Sequence, residues 1–334
     1  MPNTGRDSRP VIPVAAACLI NSQGEVLICQ RPVGKIAAGK WEFPGGKIEA
    51  GESAREALAR ELREELGIEV LEAQPLIRIT HEYSDRTVRL DAWCVTRFNG
   101  ELRAQEAPAL AWVRPEGLAS WDLLAADAPL VTALRLPSDY VFSPPGAAAA
   151  EWTAGLAALP RGALLRLRCP QLKDAAYEKL ARELLPQCEV LNLHLMLDRA
   201  PELAQSLGAA GWHASARRLG DLKQRPVPAS LWFSASCHDA GEIRRARELG
   251  VDFLVAGPVQ ATSTHPDRAP MGWEAFSALA QAAGCPVYAI GGLGPAELAA
   301  ARRHAAQGVA GISAYWSLRS GSGSAGAGSS AGTR

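Results

Sequence analysis

Between Gly46 and Ile68 the chain sets out Glu52, Arg60, Glu61, Glu64 and Glu65, with five residues separating Gly46 from Glu52 and seven separating Glu52 from Arg60. Ser53 followed three residues later by Glu56 is a capping box, and Gly67 offers a left-handed cap, so this spacing predicts a helix over 54–66. At ~100° of rotation per residue, Glu61, Glu64 and Glu65 share an inward arc with Ala54 and Ala57, and Leu58 borders it. Like charges on one helix face repel, and more so once desolvated, so such a cluster calls for a compensating cation. Every donor is oxygen. That favours Mg2+ or Mn2+ over zinc, which takes the His or Cys ligands this segment lacks. The pattern is one for handling a metal-bound diphosphate.

The helix must be carried by a sheet. The apolar runs 11–20 and 25–29, with Ser22-Gln23-Gly24 between them, read as a hairpin. The runs 77–83 and 87–95 make a second pair about Ser84-Asp85-Arg86. Gly45-Gly46 lets the backbone pass close to metal and phosphate with no Cβ in the way. A helix over 129–135 closes this unit. Beyond it, apolar runs at 140–142, 163–167, 190–196, 211–214, 231–234, 253–256, 287–290 and 309–313 alternate with helix-like stretches. Eight βα units point to a (β/α)8 barrel with tight loops.

The 334 residues accommodate two such domains. Their expected division is a disordered N-terminus over 1–10, an α/β domain over 11–136, the barrel over 137–318 and a disordered Gly/Ser/Ala-rich tail over 319–334. Lys plus Arg equals Asp plus Glu at 35 each, so no global basic field recruits a nucleic-acid polymer, and a free nucleotide is the easier partner. Seven scattered cysteines without CxxC spacing suggest buried thiols in a reducing compartment. No apolar run approaches the ~20 residues of a membrane span, and Met1 to Pro10 lacks an apolar signal core. A cytoplasmic location is expected.

The stretch from Gly46 to Ile68 resembles the Nudix hydrolase box without departure, and the flow from Ile12 to about Leu136, through Trp41-Glu42-Phe43-Pro44-Gly45-Gly46-Lys47-Ile48-Glu49, resembles its MutT branch. That branch hydrolyses 8-oxo-dGTP to the monophosphate and diphosphate, limiting replication errors. The resemblance implies an α/β/α sandwich with a mixed sheet. It also implies metal ligation by the Gly45 carbonyl, Glu61, Glu64, Glu65 and Glu106, with Glu61 or Glu106 as the base. Glu52 and Arg60 then orient the ligands, brace loop to helix, or both. Arg31, Phe43, Asp85 and Asp127 resemble the nucleotide pocket, although Phe43 beside Pro-Gly-Gly also suits a core. Asp127 stands where the pattern has Asn, and an ionised Asp only accepts hydrogen bonds. It also suits the N-cap of the closing helix. His81 reads as a strand residue.

From Asp139 to Trp316 the chain resembles the thiamine-phosphate synthase and TenI family of TIM barrels. The resemblance rests on Leu197-Asp198-Arg199, Gly208-Ala209-Ala210-Gly211-Trp212-His213, Ser236-Cys237-His238 and Ile290-Gly291-Gly292-Leu293. It implies a phosphate seat at Thr262, Ser263, Thr264, Gly291, Gly292 and Ser313, and a thiamine-related phosphate as partner. Departures weigh against synthase chemistry. The family's Gln-x-Arg-x-Lys reads Arg166-Leu167-Arg168-Cys169-Pro170, and Arg218 stands where a metal-binding Asp is expected. Two alternatives follow for the whole chain: hydrolysis of a thiamine-pathway diphosphate, with the barrel as sensor or residual synthase, or a barrel kept as scaffold.

Overall fold

The structure, a computed structural model, describes residues 9–144, 154–262 and 269–316. Residues 1–8 of the expected N-terminal arm and the tail 319–334 lie outside the described residues.

Strand β1 (Val11–Leu19) is central to the first unit. Its odd residues Ala15, Ala17 and Leu19 pack beneath helix α1 (Ala54–Leu66), while Ala16 and Cys18 point the other way, toward helix α2 (Ala128–Arg135). The two-residue period of a strand buried on both faces thus yields an α/β/α sandwich. The expected hairpin of the first two runs does not form. β1 pairs antiparallel with β4 (Gly45–Lys47) and parallel with β6 (Thr87–Asn99), so both its edges are taken. β2 (Val26–Gln30) joins instead a three-stranded sheet with β3 (Trp41–Glu42) and β7 (Leu110–Val113), touching β1's end through one bridge from Ile20 to Val26. The second hairpin does form and is longer than its apolar cores, with β5 (Glu69–Glu82) antiparallel to β6.

Helix α1 has the predicted bounds. Ser53 Oγ accepts from Glu56 N–H at 3.3 Å, Glu56 Oε2 accepts from Ser53 N–H at 2.8 Å, and Gly67 turns the chain left-handed at φ 70°. Leu58, Leu62 and Leu66 are fully buried against the sheet and hold the helix in place.

The second unit is a closed barrel of eight parallel strands in chain order: β8 (Asp139–Phe142), β9 (Leu164–Arg166), β10 (His194–Leu197), β11 (Gly211–Ala214), β12 (Trp232–Cys237), β13 (Phe253–Ala256), β14 (Val287–Ile290) and β15 (Gly308–Gly311). All eight apolar runs became strands. The largest shift is at Val190, an exposed residue ending helix α3 (Asp174–Val190), so that strand begins later, at His194. Tyr140, Phe142, Phe253 and Tyr288 fill the interior, with Tyr140 in edge-to-face contact with the other three. The units are joined at Leu136: buried Gln307 donates to the carbonyls of Ala133 (3.0 Å) and Leu136 (3.1 Å), and β5 lies against the barrel helix α7 (Gly272–Ala283). Among the described residues no helix is long and apolar enough to cross a membrane.

Replacing Leu62 by Ala should lower the stability of the sandwich by about 2–5 kcal/mol, because the rigid sheet beneath it cannot collapse into the cavity. Urea denaturation reads this as an earlier sandwich transition.

Candidate functional site

Register sets the first site. β4 runs beside β1 with Gly45 opposite Ala16 and Gly46 opposite Ala15. A Cβ on Gly45 would lie 2.2 Å from the Ala15 carbonyl oxygen, and one on Gly46 would lie 2.2 Å from the Glu61 carboxyl carbon. Two glycines therefore let one strand press against a neighbour and a carboxylate together. Gly45, at φ 140°, donates its N–H to Glu65 Oε2 at 3.1 Å. Burial pushes Glu65 up to about 7, and the nearby Glu61 and Glu42 carboxylates add to the effect.

Arg60 clamps the loop to the helix. Its Nε and Nη2 reach both oxygens of Glu52 at 3.0 Å, Nη1 reaches Glu61 at 2.9 Å, and Nη2 also donates to the Lys47 carbonyl at 3.0 Å. Glu52 and Glu61 hold Arg60 well above its ordinary value, and Arg60 in turn holds Glu52 below the usual carboxylate range. The Glu52–Arg60 pair braces the loop against the helix, and Arg60 also bonds Glu61.

The inward wall of three carboxylates needs correction. Glu61 and Glu65 are half-buried beside the buried stripe Ala57, Leu58, Leu62 and Leu66, but Glu64 is 56% exposed and lies 3.3 Å from Arg60. Glu106 is also exposed and is tied to Lys35 at 2.9 Å, and Lys35 feels Glu65 as well. Among the described residues no three His, Cys, Asp or Glu side chains converge on one point as metal ligands do. A divalent cation nevertheless suits what is there. Glu65 is a largely buried carboxylate with one N–H donor and a second carboxylate beside it, and all the donors are hard oxygens. Lys35 was missed by sequence reasoning; it lies 71 residues from Glu106, and no local pattern links them.

The expected base pocket assembles in part. The backbone of Trp41 pairs with Asp122 and Leu124, bringing the turn Ala125–Asp127 against Phe43. Asp127 is buried and its Oδ2 accepts from Phe43 N–H at 3.3 Å, so it does not cap α2 with its side chain. Burial, reinforced by Glu42, pushes Asp127 up to about 8. That shift favours the protonated acid, which can donate as well as accept. Phe43 is buried in the core cluster between sheet and α2. Arg31 is held by Glu42 and by the Ile36 carbonyl at 2.8 Å. Asp85 is an exposed turn residue paired with Arg86 at 2.7 Å. The hairpin presents Tyr83 instead, its hydroxyl near Asp127 and Ala126 and its ring beneath Arg86. His81 is a half-buried strand residue packed edge-on against Tyr83.

At the C-terminal mouth of the barrel a cavity of about 440 Å3 is lined by Thr262, Gly291, Gly292 and Ser313, four of the six residues expected at a phosphate seat. Ser263 and Thr264 lie outside the described residues. Gly291 and Gly292 have φ 111° and 68°, and a Cβ on either would strike Pro258 or Ala261 within 3 Å. Beneath them His213, fully buried, bridges Tyr140 and Ser234 through Nδ1 (3.0 Å each) and Ser236 through Nε2 (2.8 Å). Burial drives it well below its ordinary value, so it is a neutral imidazole.

A NUDIX domain model matches residues 15–133, and a thiamine monophosphate synthase model matches residues 140–315. The chain belongs to both families. Over 117 residues it is 46% identical to the CTP pyrophosphohydrolase of Escherichia coli, covering 35% of this chain and 87% of that protein. It is 34% identical to the 8-oxo-dGTP diphosphatase of the same organism, over 36% of this chain and 95% of the relative. The barrel is 34% identical to the thiamine-phosphate synthase of Herpetosiphon aurantiacus, over 45% of this chain and 71% of the relative. The protein is thus a Nudix phosphoanhydride hydrolase joined to a thiamine-phosphate synthase-like barrel.

Gly46→Ala should displace the Glu61 carboxylate while leaving strand pairing intact. Diphosphate release from a nucleoside triphosphate should fall about 10–100-fold, the usual scale for disturbing a ligand's orientation, with an unchanged circular dichroism spectrum.

Proposed function

We propose that the Nudix domain is a Mg2+-dependent nucleoside triphosphate pyrophosphohydrolase, with 8-oxo-dGTP as preferred substrate and 8-oxo-dGMP and diphosphate as products. The observation that carries the reading is the pair of half-buried carboxylates, Glu61 and Glu65, set against the Gly45–Gly46 peptide. With the Gly45 carbonyl, and with Glu64 and Glu106 swinging in from Arg60 and Lys35, they would hold the ion, for which Mn2+ would also serve. A bound divalent ion neutralises phosphate charge and favours attack by water on phosphorus. Arg60, fixed by Glu52, keeps Glu61 aimed. Glu61 or Glu106 would take the proton of the attacking water.

A neutral Asp127 supports the base preference. Guanine presents O6 and N7 as two acceptors. Oxidation at C8 puts a proton on N7, so O6 and N7–H become one acceptor beside one donor, which a carboxylic acid matches in both directions. Cytosine offers the same acceptor-donor pair at N3 and its amino group. CTP is therefore the second reading, favoured by the first relative named above. A thiamine-pathway diphosphate is the third, motivated by the attached barrel. The free cysteines suit a reducing, cytoplasmic setting.

Glu65→Gln should lower kcat by orders of magnitude with Mg2+ supplied, while the melting temperature holds. An enzyme that keeps its rate would sink the site assignment. A panel of 8-oxo-dGTP, dGTP, CTP and thiamine diphosphate ranks the substrates by kcat/KM.

Asp127 is protonated below about 8 and ionised above, so discrimination of 8-oxo-dGTP from dGTP should decline as pH rises through that value. Asp127→Asn, which cannot ionise, should flatten this profile. Parallel slopes in the two proteins would remove Asp127 from base recognition.

A further inference from the structure

We propose that the barrel positions the base pocket of the hydrolase, with Arg247 as the residue that fixes the hairpin tip carrying Tyr83. The proposal rests on reading the Asp127 side of the sandwich as that pocket. Two elements frame it. One is helix α2, which begins just after Asp127, and the other is the β5–β6 hairpin, whose Tyr83 hydroxyl lies near Asp127 and Ala126. The barrel holds both. Gln307, buried just before β15, donates to the carbonyls of Ala133 and Leu136 at the far end of α2. Arg302, on the barrel helix α8 (Leu298–Arg303), donates to Gln74 partway along β5 at 3.2 Å.

The tip itself is held by charge. Arg247, in the last turn of helix α6 (Ala240–Glu248), passes beside Gly284, the left-handed cap of α7, and brings its guanidinium to 3.8 Å from Glu82. Glu82 also takes Arg9 at 3.4 Å, and Arg9 donates to the Tyr83 carbonyl at 2.7 Å. An arginine from each unit therefore meets at Glu82, one residue before Tyr83. Burial and, after it, the charge of Arg247 lower His81 below its ordinary value, and His81 packs edge-on against Tyr83 with ring centroids 4.6 Å apart. Ser84 and Asp85 at the turn are exposed and pack on little, so the contacts at the base of the tip decide where the Tyr83 ring stands. Arg247 acts through Glu82 and His81, as a positioning residue. Both members of the ion pair are nearly half exposed, at 44% and 47%, which sets its effect at a few-fold rather than orders of magnitude.

The nucleotide 8-oxo-dGMP carries the base and no anhydride, so its affinity for the full chain reads the pocket without catalysis. Measured by calorimetry, Arg247→Glu should weaken it about three- to fivefold, because an attraction is lost and a like-charge repulsion gained. Arg247→Lys should bind as the parent does. Arg244→Glu, the same charge change at an exposed position of the same helix, should also match the parent. With 8-oxo-dGTP the Arg247→Glu defect should appear in KM, with kcat within about twofold of the parent and the melting temperature unchanged. Tyr83→Ala should weaken binding by itself, and adding Arg247→Glu to it should cost nothing further, since both act through one ring. No binding of 8-oxo-dGMP by the parent, parental affinity in Arg247→Glu, an equal loss in Arg244→Glu, or additive losses with Tyr83→Ala would each overturn the proposal. Hydrolysis of triphosphates by the parent would leave the hydrolase reading standing in those cases. A parent that binds 8-oxo-dGMP through Arg247 and Tyr83 yet hydrolyses no triphosphate would overturn the hydrolase reading alone.

Discussion

A carboxylate pressed against a peptide plane with no Cβ between them is the contact on which the N-terminal domain depends. Glu61 reaches its position because Gly46 has no side chain, and Gly46 lies there because β4 runs in register with β1. β1 is in turn buried on both faces, its odd residues gripping α1, which carries Glu61 and Glu65. Strand register, helix packing and the placement of charge are one linked arrangement. Displacing any of them by an ångström moves the carboxylates relative to the Gly45 amide and carbonyl.

The two domains present opposite electrostatic problems. In the sandwich, carboxylates are gathered beyond what Arg60 neutralises, and Glu65 bears the cost as a raised affinity for protons. At the barrel mouth Arg166, Arg168, Arg199 and Arg218 gather about Asp198, and Arg168 bears the cost as a lowered one. Burial penalises the charged form in both places, and a ligand of opposite sign relieves it.

Asp127 illustrates how environment overrides residue type. In the sequence it is an anion where the family pattern has a neutral amide. In the fold its burial and the field of Glu42 push it up to about 8, toward a protonated acid that can donate as well as accept. Phe43 moved the other way, from candidate stacking platform to core residue whose contribution near Asp127 is a backbone N–H.

Local chemistry determined a good deal unaided. The capping box and Gly67 marked both ends of α1, the alternation of apolar runs counted eight barrel strands, and the spacing of Glu52, Arg60, Glu61 and Glu65 marked the hydrolase segment. These are legible because capping, hydrophobic period and helical phase act over a few residues. Tertiary structure alone decided that β2 leaves β1 for another sheet, that Lys35 holds Glu106, that Tyr83 rather than Asp85 approaches Asp127, and that Asp198 is taken by Arg166. Edge availability, burial and pairing between distant charges depend on which segments meet in space, and no window of sequence holds both partners.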